Sequence, residues 1–175
     1  QERYKTYSII NILAFRNQQR LLKDIYLPLT LKMEYGKMDY GTDKQVKHTV
    51  EEYNKDFISS YKRMLIVDTA GMGKSTISKK LFLSAIETNA GIPVFIELRR
   101  LSKERTLLSE IYQELKLVNE DIDQELVLDL IRRGDFIFFM DGYDEIPADE
   151  KRSVTEDLQK FVNNASENCF ILTSR

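Results

Sequence analysis

Apolar residues follow two rhythms along this chain. From about residue 63 onward, short unbroken apolar runs such as "MLIV", "FIFFM" and "CFIL" alternate with longer stretches in which apolar residues recur every three or four positions. Unbroken runs suit strands buried on both faces, and the wider spacing suits helices laid across them. The reading in chain order is strand "RMLIVDT" (63–69), helix "GKSTISKKLFLSAIETNAG" (73–91), strand "IPVFIEL" (92–98), helices "LLSEIYQEL" (107–115) and "DIDQELVLDLIRR" (121–133), strand "DFIFFMDG" (135–142), helix "ADEKRSVTEDLQKFVNN" (148–164) and strand "NCFILTS" (168–174). In the first helix Ile77, Leu81 and Ala85 stand one turn apart, and Gly91 lies beyond its end. Strands separated by helices predict a parallel sheet covered on both faces, an α/β sandwich of three layers.

The N-terminal part is less regular. Ile9, Ile12, Leu13, Phe15, Leu21, Leu22 and Ile25 fit a helical stripe over residues 7–24, weak around 17–20, and predict a docking helix. "YLPLTLKM" (26–33) then alternates Leu27, Leu29, Leu31 and Met33, with Pro28 confining it to a sheet edge. "MEYGKMDYG" (33–41) nearly repeats itself at five residues and reads as a glycine-punctuated hairpin or loop. Thr49 and Glu52 have capping-box spacing, and Val50, Tyr53, Phe57 and Ile58 supply a helix face ending near Tyr61. The expected division is residues 1–48, a helix, short strand and loop, followed by a core over 49–175.

Composition adds mostly exclusions. With 42% hydrophobic and 10% aromatic residues, the 175-residue chain can fill one core. Lys and Arg (26) nearly balance Asp and Glu (28), so no general field draws it to nucleic acid or an anionic membrane. No apolar run approaches the roughly 20 residues that span a bilayer. Cys169 is the single cysteine, which rules out an internal disulfide, and no cleavable leader is visible, so a reducing, cytoplasmic setting is expected. It is read as a buried strand residue. The chain opens on Gln1 and stops at Arg175 directly after an apolar run, and the expectation is a piece of a longer protein.

The chemistry is concentrated in two stretches. "DTAGMGKST" (68–76) joins a strand to a helix N-terminus, where free N–H groups and the helix dipole favour an anion. Ala70, Gly71, Met72 and Gly73 form the curl of the loop, the glycines letting backbone approach phosphate oxygens. Lys74 reaches the outer phosphates, Ser75 offers a hydroxyl to Mg²⁺, and Thr76 faces the inner phosphate. Asp68 stands where the pattern G-x-x-x-x-G-K-[ST] has its first glycine; it ends the strand, away from the phosphates, and aspartate tolerates the unusual backbone angle expected there. The competing reading of the stretch is a glycine-rich turn with a surface lysine. In "FIFFMDGYDEIP" (136–147), Asp141 ends a buried strand as a second Mg²⁺ anchor, and Asp144 or Glu145 could orient or deprotonate an attacking water. An acidic surface turn capped by Pro147 is the alternative.

Taken together, "DTAGMGKST", "IPVFIELRRL", "FIFFMDGYDEIP" and "CFILTSR" have the order and spacing of the NACHT domain, a branch of the signal-transduction ATPases related to AAA+ proteins, and the chain resembles that family from about Tyr26 to Arg175. The resemblance implies a P-loop NTPase sandwich with four of five core strands present, ATP or ADP as ligand, and Mg²⁺. It assigns Lys74, Ser75 and Thr76 to the phosphates, Asp141 to the metal, Asp144 and Glu145 to hydrolysis, and Arg175 to sensing the γ-phosphate. Tyr26 and Leu27 resemble the adenine-packing segment, with a core tyrosine and leucine as the alternative. His48 lies before the phosphate loop, is read as a solvated loop residue, and has no counterpart in the family's C-terminal winged-helix histidine. The family's fifth strand, helical and winged-helix domains, and its sensor and effector regions are expected beyond this chain. Two functions follow: a switch, closed with ADP and opened by ATP, that self-associates on activation and belongs to a defence or innate-immunity type protein, or an AAA+-like motor or other phosphoryl-transfer enzyme. A P-loop kinase is disfavoured because no acceptor site or arginine-rich lid follows Arg133.

Overall fold

The computed structural model describes residues 2–12, 18–33, 46–50, 53, 62–69, 71–116 and 120–175. Its core is a four-stranded parallel sheet of Arg63–Val67 (strand β5 of the chain), Ile92–Glu97 (β6), Phe136–Asp141 (β7) and Cys169–Ser174 (β8), in the order β5-β8-β7-β6. Register is regular, with Met64 beside Ile171, Phe138 beside Phe170 and Glu97 beside Asp141. Four strands precede these: Ile9–Ile12 (β1), Gln18–Leu21 (β2), Leu29–Met33 (β3) and Val46–Val50 (β4). The described helices are Glu2–Ser8 (α1), Leu22–Ile25 (α2), Lys74–Glu87 (α3), Leu107–Lys116 (α4), Gln124–Arg133 (α5) and Lys151–Asn164 (α6).

Strand pleat divides the sheet's side chains into two cores. On one face Phe136, Phe138 and Met140 of β7 join Val94, Ile96 and Phe170 under α4, α5 and α6. On the other, Ile137 and Phe139 join Ile66, Phe95 and Ile171 against Ile77, Leu81 and Ala85 of α3. The sheet with helices on both faces is the expected three-layer sandwich, and residues predicted one turn apart on α3 are its fully buried stripe. Aromatic rings fill both layers. Phe138 stacks on Phe136 and Phe170 at 5.4 and 5.3 Å with Phe161 edge-on, while Phe82 meets Phe95 and Phe139 edge-on at 5.7 Å. Each such ring contributes roughly 1.5–3 kcal/mol by leaving water.

The N-terminal expectations need correction. Among the described residues, the helix predicted over 7–24 is found only at its two ends, in α1 and α2, and between them β1 pairs antiparallel with β2, Ile9 opposite Leu21. The β-branched cluster Ile9, Ile10 and Ile12 prefers a pleated strand, and residues 18–20 of the polar break that weakened the helical stripe belong to the returning strand. Docking is nonetheless served by α1, whose Tyr7 is buried and lies 4.7 Å from the Phe95 ring. The expected strand at 26–33 is β3, paired antiparallel with β4. Thr49 and Val50 therefore lie in β4 and do not start a helix; Thr49 Oγ1 sits 3.2 Å from Thr30 Oγ1 across the pair, so its hydroxyl faces a neighbouring strand. Glu52, Phe57, Ile58 and Tyr61 of that expected helix lie outside the described residues, as does the 33–41 segment beyond Met33. His48 is a strand residue opposite Leu31, not a loop residue. Cys169 begins β8 half-buried, and burial pushes its thiol up from the ordinary value.

Candidate functional site

All four core strands are parallel, so their carboxyl ends share one rim of the sheet. β5 is followed in the chain by β6 at the far edge yet pairs with β8, and this reversal of strand order leaves a crevice beyond β5 and β8. A cavity of about 290 Å³ opens there, lined by Gly71, Gly73, Lys74, Ser75, Thr76, Gly142, Asp144, Glu145, Thr173 and Arg175. The fold thus brings together the loop after β5, the acidic turn after β7 and the end of β8, stretches up to 104 positions apart in sequence if Gly71 and Arg175 are compared.

The loop's shape depends on two glycines. Gly71 and Gly73 have φ of +82° and +85°, the left-handed region, and Gly73 is the N-cap of α3. A Cβ on Gly73 would lie 3.2 Å from Leu29 Cδ1, so β3 closes the loop's outer side. Lys74 spans the loop, donating from Nζ to the carbonyls of Asp68 (2.7 Å) and Thr69 (2.9 Å). Ser75 and Thr76 occupy the first turn of α3 with the free N–H groups of its positive end. Ala70 lies outside the described residues, and Met72 is an exposed loop residue.

Asp68 behaves differently from expectation. Among the described residues the one non-glycine with positive φ is Asn89, so Asp68 does not use the left-handed region. Instead its carboxylate accepts from the Thr69 N–H at 2.7 Å, while its N–H donates to the Ser174 carbonyl at 3.4 Å. The side chain closes a turn where glycine would have left the next N–H to water.

Beyond β7 the chain turns sharply. Gly142 has φ +78°, and a Cβ there would lie 3.1 Å from the Glu145 carboxyl carbon, so glycine is required for the tight turn Tyr143–Glu145. Asp144 pairs with Arg175 at 2.8 Å. Glu145 lies 3.7 Å from Arg99, which also pairs with Glu97 at the end of β6 at 3.0 Å. The hydrogen bond to Glu97 is the largest cause raising the Arg99 pKa, with Glu145 and Asp141 adding attraction. Asp141 accepts at Oδ1 from the Thr173 hydroxyl at 2.6 Å.

Two features escaped the sequence reading. Thr173 is buried on β8 and appears in the linear chain as one more strand residue; the signal that could have found it was its place two residues before Arg175 at a strand end. Glu97 reads only as part of the strand 92–98, and Arg99 follows it in "IPVFIELRRL", a stretch that carries the family resemblance with no role assigned to either residue. Tyr26 and Leu27 do not line the cavity. Tyr26 is half-buried, its hydroxyl donating to the Val50 carbonyl at 2.8 Å, and Leu27 is 80% exposed.

The donors fit a nucleotide with a divalent cation. The glycine curl leaves room where side chains would intrude; Ser75 lines the cavity and Asp141, at the end of β7, adjoins its lining residue Gly142 without lining it, and both carry hard oxygens of the kind Mg²⁺ takes alongside phosphate and water. Among the described residues no group of three or more His, Cys, Asp and Glu could hold a metal ion by itself. No described helix is long and apolar enough to cross a membrane. No curated protein matches the chain. The family model of the NACHT domain does match, over residues 62–175, which takes in every core strand, the glycine loop and the acidic turn. With well over half its length covered by that match, the chain belongs to the NACHT domain family, a P-loop NTPase module.

Proposed function

We propose that the chain binds ATP and ADP with Mg²⁺ and works as a nucleotide-dependent switch that hydrolyses slowly. The observation that carries this reading is the single cavity in which Lys74, Ser75 and Thr76 face Asp144, Glu145 and Arg175. Lys74 and the loop N–H groups hold phosphate, Ser75 and Asp141 would hold the cation, and Arg175 meets the outer phosphate. The cation supplies charge neutralisation to the phosphates when bound.

Both acids proposed for hydrolysis are engaged with arginines, Asp144 with Arg175 and Glu145 with Arg99. Arg175 cannot hold Asp144 and meet a γ-phosphate at once, so the resting pair must part before hydrolysis. Slow turnover follows, and with it a role in which differential affinity of two conformations for ADP and ATP does the work. The nucleotide core of this module follows β4, whose residues 46–50 straddle the division expected at 48/49, and the segment up to β4 precedes it. The module self-associates on activation and operates in the cytoplasm within a larger defence or innate-immunity type protein whose further domains carry sensing and effector roles.

The test compares variants for two quantities, nucleotide affinity and phosphate release. Asp141→Asn should weaken Mg²⁺-dependent binding about tenfold or more, whereas Asp144→Asn and Glu145→Gln should leave binding within about twofold and suppress phosphate release. A wild-type chain turning over at many per second would refute the switch in favour of a motor. Normal hydrolysis in both acid variants would remove Asp144 and Glu145 from the chemistry.

A further inference from the structure

Thr173 is 1% exposed, and both hydrogen-bonding capacities of its hydroxyl are committed within the site. Its oxygen accepts the Gly142 N–H at 2.8 Å and its proton goes to Asp141 Oδ1 at 2.6 Å. An ionised carboxylate only accepts, and a backbone N–H only donates, so the direction of both bonds is fixed. The hydroxyl cannot rotate to another partner without leaving a buried N–H or a carboxylate oxygen unpaired.

This small network reaches further than one residue. The Gly142 carbonyl accepts the Glu145 N–H at 3.0 Å, so the chain of bonds runs from Asp141 through Thr173 and Gly142 to Glu145. Thr173 stands on β8 while Asp141 ends β7, and Asp68 after β5 bonds the Ser174 carbonyl next to it. One β8 side chain therefore fixes how the metal-side acid and the acidic turn sit relative to the phosphate loop. With Oδ1 held by Thr173, the rotation of the Asp141 carboxylate is set.

We propose that Thr173 is a positioning residue: it presents Asp141 to the Mg²⁺ of a bound nucleotide and ties that acid's orientation to the turn bearing Glu145. The inference rests on the nucleotide reading of the cavity, and its test separates the two. Carboxylates that ligate a cation are commonly oriented by such a neighbouring hydrogen bond, and losing it typically lowers metal affinity about 10- to 100-fold.

Thr173→Val keeps the shape of the side chain and removes the hydroxyl; Thr173→Ser keeps the hydroxyl. Calorimetry with ADP is run on the 175-residue chain with Mg²⁺ and again with EDTA, and the ratio of the two affinities is the Mg²⁺ enhancement. The Val variant should lose about tenfold of that enhancement while its affinity in EDTA stays within about twofold of wild type, and the Ser variant should recover most of the loss. Preserved EDTA affinity also certifies that the Val protein is folded. An undiminished enhancement in the Val variant overturns the proposal, as does equal loss in Mg²⁺ and EDTA, which would make Thr173 a packing residue only. A wild-type chain that binds ADP in neither condition, or without Mg²⁺ enhancement, overturns the nucleotide reading itself and the proposal with it.

Discussion

Replacing Lys74 by alanine removes the mobile cation of the phosphate loop with little direct harm to the fold. Lys74 is the first residue of α3, where alanine is a good helix former, and its ammonium donates to the carbonyls of Asp68 and Thr69. The gain it offers a nucleotide is a difference between two states. A unit charge about 4 Å from one phosphate charge, at an effective dielectric near 20, is worth roughly 4 kcal/mol. Against that, the ammonium must loosen two carbonyl hydrogen bonds of 2.7 and 2.9 Å, each worth about 0.5–1.5 kcal/mol net. With each bond near the middle of that range the surplus is about 2 kcal/mol, so Lys74→Ala should weaken ATP at least tenfold. Titration calorimetry reads this directly, and Lys74→Met, which keeps the apolar stem, should behave alike. An alanine variant with wild-type ATP affinity would refute the assignment of the loop to phosphate.

Four further outcomes are expected. Asp68→Gly removes an exposed turn-closing carboxylate and should change ATP affinity by less than about 1 kcal/mol by calorimetry; a larger gain would show that its charge repels the nucleotide. Gly134→Ala should destabilise by roughly 1–3 kcal/mol in a denaturant melt, because Gly134 has φ +84° and the new Cβ would lie 2.8 Å from the Glu167 carbonyl oxygen. Leu65→Lys should reduce self-association seen by light scattering, since β5 is the sheet's terminal strand among the described residues and Leu65 and Val67 are 59% and 57% exposed. Burial raises the phenol pKa of Tyr26 and, much further, of Tyr53, so the protonated form each keeps in the fold contributes fully below pH 10; thermal stability should fall as pH rises above 10, and less so in Tyr26→Phe.

The core was legible because each of its elements satisfies one rule at a time. "FIFFM" has no polar face, which fits only a strand covered on both sides, and Phe136 to Met140 are all buried. Ile77, Leu81 and Ala85 repeat at the helical turn and point into one layer. Glycine and lysine spacing located the loop because phosphate binding constrains backbone angle and charge at consecutive positions, and consecutive positions are what a sequence displays. The N-terminal segment was misread for a matching reason. Over residues 9–21 the apolar positions satisfy a helical period and the β-branched cluster satisfies a strand, so local pattern does not choose. Pairing of Ile9 with Leu21 depends on a chain reversal that periodicity cannot report.

Partners across the sheet were the least legible part of the site, and they decide its chemistry. Asp141, Asp144 and Glu145 lie within five positions in sequence and look equivalent as carboxylates, yet each meets a different group contributed from elsewhere: Thr173 and Arg175 from β8 and the residue after it, Arg99 from the turn after β6. Parallel register brings these together. Glu97 stands beside Asp141, and Met140 beside Leu172, so the residues just past each strand end converge on one rim. A parallel pair needs a crossover of a dozen or more residues, and such partners are therefore always remote in the chain. The motif fixes which acids are available, whereas strand order assigns one to a hydroxyl and two to arginines. A variant that exchanges these surroundings, such as Arg99→Met, should leave the acids in place yet free Glu145 from its arginine. Phosphate release should then change with nucleotide affinity held within about twofold, because the pair is exposed and worth little in binding. Unchanged phosphate release in that variant would mean that Glu145 works without regard to its partner.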